Sequence, residues 1–106
     1  MTTASTMSEL LRTPGPIPKT MRAGVYRDQG VVRVEEVSVP EVGPNEVLIK
    51  VAACGICGTD IKKIFQRYVE PPQILGHELS GTVVATGPGV SKFGPGDRVM
   101  SFHHIP

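Results

Sequence analysis

Apolar and polar positions begin to alternate at Met21. Ala23 and Val25, and then Val32, Val34 and Val37, recur at the spacing of half-buried strands. Asp28-Gln29-Gly30 between the two runs has the composition of a tight turn, so the pattern predicts a β-hairpin. Pro40 and Pro44 interrupt the next stretch. Residues 46–53, Glu-Val-Leu-Ile-Lys-Val-Ala-Ala, predict a largely buried strand that runs directly into Cys54-Gly55-Ile56-Cys57-Gly58-Thr59-Asp60. Ile61, Ile64 and Phe65 then fall at helical spacing. They predict a short helix with Thr59 or Asp60 capping its first turn and Pro71-Pro72 ending it. Residues 79–86 predict a further strand with Val83, Val84 and Ala85 at its heart. Gly87-Pro88-Gly89 and Gly94-Pro95-Gly96 predict turns on either side of residues 90–93, and residues 97–102 open one more strand.

Short strands, one helix and many turns, with no internal repeat, set the expected fold class. It is mostly β: a small barrel of short, largely antiparallel strands with Greek-key links. Composition agrees, because twelve glycines and ten prolines in 106 residues disfavour long helices. With three Phe, two Tyr and no Trp, the core must rest on Val, Ile and Leu. Residues 1–20 are rich in Thr, Ser and Pro and hold no sustained period; residues 9–12 alone hint at a helical turn. They read as a flexible extension ahead of one domain spanning residues 21–106.

Charge and cysteine usage narrow the function classes. A net charge of +1 gives no basis for a nucleic-acid or membrane partner. No stretch approaches the roughly 20 apolar residues of a membrane span. The N-terminus lacks the apolar run of a secretory signal, and Arg12 and Lys19, the basic residues ahead of Met21, make a poor organelle-targeting peptide. Two cysteines cannot build the disulfide framework of a small secreted domain, so the cytoplasm is the default location.

Two segments carry candidate chemistry. Cys54-Gly55-Ile56-Cys57 allows a redox dithiol, half of a structural zinc site, one zinc ligand with a bystander, or two thiols buried as small hydrophobes. Gly76-His77-Glu78 taken alone is more often a satisfied polar histidine beside a surface charge than a metal ligand. Gly87-Pro88-Gly89 lacks the spacing and the strand–helix context of a dinucleotide fingerprint, so no residue is assigned to cofactor binding.

Taken in order, Val51 to Asp60, then Gly76-His77-Glu78 with Gly81, then Gly96-Asp97-Arg98-Val99, resemble the zinc-dependent medium-chain alcohol dehydrogenases, in their GroES-like catalytic domain. The likeness covers residues 21–106. The wording around Cys57 and the tail Phe102-His103-His104-Ile105-Pro106 look most like the threonine and polyol dehydrogenase branch.

The resemblance implies that Cys57 and His77 bind the catalytic zinc, with Cys54 structural. It implies that Glu78 stays near the metal and can enter its shell, that Asp60 hydrogen-bonds the ligand histidine, and that Thr59 relays the alcohol proton. Thiolate and neutral imidazole suit tetrahedral zinc, and Gly58 and Gly76 beside the ligands are expected to permit tight backbone paths. The implied activity is oxidation of an alcohol or polyol to a carbonyl with NAD or NADP.

The family's third zinc ligand and its Rossmann domain have no counterpart here, and the domain reads as incomplete at its C-terminal end. The isolated chain is therefore expected to hold zinc weakly, to catalyse nothing by itself and to be open to self-association. Two other classes compete: a standalone GroES-like binding module without catalysis, and a dithiol oxidoreductase. A co-chaperonin's docking loop has no likeness here, and the frame of a thioredoxin is missing.

Overall fold

The computed structural model describes residues 16–102. The helical hint at 9–12, most of the extension read at 1–20 and the tail 103–106 lie outside the described residues. Among the described residues, six strands and one helix are arranged in the order β1 (Thr20–Asp28), β2 (Val31–Ser38), β3 (Val47–Cys54), α1 (Gly58–Gln66), β4 (Gln73–Ile74), β5 (Leu79–Thr86) and β6 (Arg98–Ser101). Among the described residues the chain is mostly β with one helix, as the pattern predicts. Two compact units divide it: among the described residues one gathers 16–17, 40–52 and 80–100, and the other 18–39, 53–79 and 101–102.

In the second of these units the sheet order is β2-β1-β4. β1 and β2 form the expected antiparallel hairpin, in register from Thr20 opposite Ser38 to Asp28 opposite Val31, with one irregularity between Tyr26 and Asp28. Gly30 turns the chain with φ 73°, a conformation that glycine adopts without steric cost. The sequence pattern does not predict β4. It is two residues long and pairs antiparallel with β1, Val25 opposite Ile74 and Tyr26 opposite Gln73. Val25 and Tyr26 form the buried core here. The alternation expected in β2 is only partly realised: Val37 is half-buried, whereas Val32 and Val34 are exposed.

The hairpin turn closes the end of the helix. The Gly30 N–H donates to the Ile64 carbonyl at 3.0 Å, and the Gln29 side-chain amide donates to the Phe65 carbonyl at 2.7 Å. These carbonyls belong to the last turn of α1, where acceptors have no partner within the helix. Arg67 then takes a left-handed conformation (φ 54°, ψ 45°) and stops α1. Termination therefore precedes Pro71-Pro72, which was expected to supply it.

In the other unit the sheet order is β3-β5-β6, and Val83 of β5 is fully buried. The Val83 N–H donates to the Asp97 carbonyl and its own carbonyl accepts from the Gly96 N–H, both at 2.8 Å. Both Gly-Pro-Gly stretches are turns. At the first, the Gly87 N–H donates to the Glu46 carbonyl at 2.8 Å, and a Cβ on residue 87 would lie 1.8 Å from the Gly43 carbonyl oxygen. Only glycine fits there.

One expectation about β3 is corrected. The first three residues of β3 are half-buried and the last five are exposed, Val51 among them. An unbroken apolar run makes a strand compatible with cover on both faces, but it does not supply that cover.

Candidate metal centre

The segment 53–79, which lies within one unit, carries every residue singled out for metal chemistry. Cys54 ends β3, and Cys57 occupies the N-cap of α1 with an extended backbone (φ −103°, ψ 156°). The Cys57 N–H donates to Asp60 Oδ2 at 3.0 Å, while the Asp60 N–H donates back to the Cys57 carbonyl at 3.0 Å. Of the two expected caps, Asp60 supplies a carboxylate to the helix start and Thr59 does not. Cys57 holds the cap position, and Asp60, three residues on, supplies the acceptor in the manner of a capping box. This bond fixes the backbone that carries the Cys57 thiol.

The second oxygen of Asp60 has a different task. Oδ1 lies 3.4 Å from Nδ1 of His77, and the two residues are 7% and 8% exposed. A carboxylate beside Nδ1 favours the tautomer that carries its proton there. One buried carboxylate therefore braces the helix start and faces the imidazole.

Cys57 Sγ, a ring nitrogen of His77 and a carboxylate oxygen of Glu78 all lie within 4.8 Å of one another. Cys57 is half-buried and Glu78 exposed, so the cluster opens to solvent on the Glu78 side. Sulfur, nitrogen and oxygen in this combination form a donor set that zinc accepts. Thr59 stands next to it, its Oγ1 3.6 Å from Cys57 Sγ. Cys54 is outside the cluster; its exposed thiol lies 3.7 Å from the Gly55 carbonyl oxygen. Both thiols are free and stand on different elements.

The two glycines beside the ligands differ. Gly76 has φ 128°, and a Cβ on it would lie 2.8 Å from Cys54 Sγ. Gly58 opens α1 with space around it, since a Cβ there would meet nothing within 4 Å. The expectation that Gly58 permits a tight path is therefore corrected. The sequence held no signal for two contacts: Cys54 against Gly76, and the Gly55 N–H donating to the Glu78 carbonyl at 2.7 Å.

The family model of the alcohol dehydrogenase GroES-like domain matches residues 43–105. The chain belongs to this family. Among alcohol dehydrogenase relatives, it is similar to the sorbitol dehydrogenase of Bacillus subtilis, 42% identical over 88 residues, covering 78% of this chain and 25% of that protein. It is also similar to the L-threonine 3-dehydrogenase of Pyrococcus abyssi, 51% identical over 75 residues, covering 66% of this chain and 22% of that protein. The cobalt- and zinc-bound thermostable alcohol dehydrogenase from Pyrobaculum aerophilum matches it with a TM-score of 0.71 at 34% identity, covering 76% of this chain and 26% of that one.

The chain thus spans about a quarter of the length of the curated relatives it matches. The resemblance read from the Cys57, His77 and Gly96 segments holds, and threonine and polyol dehydrogenases stand among the relatives. Among the described residues, no helix is long and apolar enough to cross a membrane.

Proposed function

We propose that the chain is the metal-binding part of a zinc- and NAD(P)-dependent dehydrogenase acting on small alcohols or polyols in the cytoplasm. Cys57, His77 and Glu78 hold the metal, and Thr59 passes the alcohol proton outward. The observation that carries this reading is the convergence of the three donor atoms within 4.8 Å, with Asp60 behind His77. Zinc bound there supplies Lewis-acid polarisation of an alcohol oxygen.

The residues of this chain do the rest of the work near the metal. Asp60 holds His77 in one tautomer, and the capping bond steadies Cys57. The Thr59 hydroxyl both accepts and donates, which suits it to hand on a proton. The hydride acceptor, NAD or NADP, needs a nucleotide-binding part, and none of these 106 residues forms a GxGxxG segment.

Cobalt(II) serves as a coloured substitute for zinc in the test. The chain is expected to bind it weakly and reversibly, with a thiolate-to-cobalt absorption band. Cys57→Ser and His77→Ala should each lower affinity by about tenfold or more, whereas Cys54→Ser should change it by no more than about twofold. Unaltered binding in Cys57→Ser would remove the assignment. Mixed with zinc, NAD or NADP and a panel of polyols, secondary alcohols and threonine, the 106-residue chain by itself should produce no reduced cofactor. Turnover that is lost in His77→Ala would overturn that expectation.

A further inference from the structure

We infer that Cys54, which lies outside the donor triad, is a positioning residue for it: its sulfur sets the backbone path through Gly76 and hence the reach of His77 and Glu78. The inference rests on the metal assignment proposed above. Cys54 is the last residue of β3, and its Sγ fills the volume that a Cβ on residue 76 would need, 2.8 Å away. Gly76 meets it in a left-handed conformation, φ 128°. On the far side of His77, the next residue of the β3 exit repeats the contact. The Gly55 N–H donates to the Glu78 carbonyl at 2.7 Å, and a Cβ on Gly55 would stand 3.3 Å from the Glu78 carboxylate.

His77 is therefore bracketed. A sulfur touches the residue before it, and a backbone hydrogen bond holds the residue after it. A strand end and the 76–78 segment share one fixed separation, so a change of side-chain size at position 54 is transmitted to the backbone that bears both donors. The sulfur already occupies the volume that a Cβ at Gly76 would need, so a longer side chain at 54 presses on the same stretch of backbone.

The test compares Cys54→Ser, Cys54→Leu and Cys54→Ala in the full 106-residue chain, with cobalt(II) as probe and circular dichroism as the check on folding. Cys54→Ser, close in size, should keep affinity within about twofold and retain the thiolate-to-cobalt band. Cys54→Leu should fold, yet weaken cobalt binding by about tenfold or more and shift the ligand-field bands, because supports one step from a ligand act on this scale. If Cys54→Leu does not fold, Cys54→Ala takes its place. It opens a gap under Gly76 and should loosen binding several-fold with an altered spectrum.

Wild-type affinity and spectrum in both Cys54→Leu and Cys54→Ala would overturn the inference. So would loss of the thiolate band in Cys54→Ser, which would make Cys54 a ligand. If the wild-type chain binds no cobalt, the metal assignment fails, and the positioning role is then read from the His77 imidazole resonances of the metal-free chain. Cys54→Leu should move them and Cys54→Ser should not; resonances unmoved in Cys54→Leu would overturn the inference.

Discussion

Tyr26 is completely buried, and its hydroxyl oxygen finds no hydrogen-bond partner among the described residues. The ring contributes apolar burial, but a buried hydroxyl without a partner has lost its water and gained nothing in exchange. Tyr26→Phe is therefore expected to leave the unfolding free energy unchanged or raise it by up to about 1 kcal/mol, as measured by urea denaturation. A clear loss would mean that the hydroxyl is bonded after all.

The opposite case stands on the hairpin surface, where Arg27 Nε donates to Glu35 Oε2 at 2.7 Å. That hydrogen bond, with the charge of Arg27 behind it, holds the Glu35 carboxyl below its ordinary pKa. A folded-state pKa below the unfolded one makes a contribution that is present above the ordinary carboxylate range and is lost as pH falls through the folded value. Followed by NMR, Glu35 should titrate below a free glutamate, and Arg27→Met should move its midpoint upward. The effect on stability should be small because the pair is solvent-exposed.

At the level of elements, the hairpin turn and α1 stabilise each other. Gln29→Ala removes the donor to the Phe65 carbonyl, and an order-of-magnitude cost of about 0.5–1.5 kcal/mol is expected in thermal or urea unfolding. The hairpin itself was legible: alternating valines flank Asp28-Gln29-Gly30, and a glycine is what φ 73° requires. The strand Leu79–Thr86 and the helix after Cys57 were legible for the same local reasons. The two-residue strand Gln73–Ile74 was not, because its extended state comes from pairing with Val25 and Tyr26, far earlier in the sequence. Cys57 as a helix cap was hidden too, since a thiol is not among the preferred capping side chains and the acceptor comes from Asp60. In the candidate site, the family resemblance carried by the motif order implied Cys57, His77 and Glu78, where the residues taken alone left several readings open. Nothing in the sequence could reveal that Cys54 lies against Gly76, because that contact joins segments well separated along the chain.

Across the whole molecule, the two compact units are interleaved along the chain: 18–39, 53–79 and 101–102 belong to one, and 40–52 and 80–100 to the other. The donor segment is thus a continuous insert between β3 and β5. β2 is an edge strand in the order β2-β1-β4, and Val34 on it is 72% exposed. Edges carrying exposed valines invite pairing between copies. Val34→Lys should lower self-association in sedimentation velocity without lowering the melting temperature. The docked hairpin turn also has a use in isotope labelling. Amide protons in surface turns ordinarily swap with deuterium quickly, but the one on Gly30 is bonded to the Ile64 carbonyl at 3.0 Å. Its exchange rate therefore counts the openings of the far end of α1, and a single glycine peak serves as a clock for the helix whose other end carries Cys57.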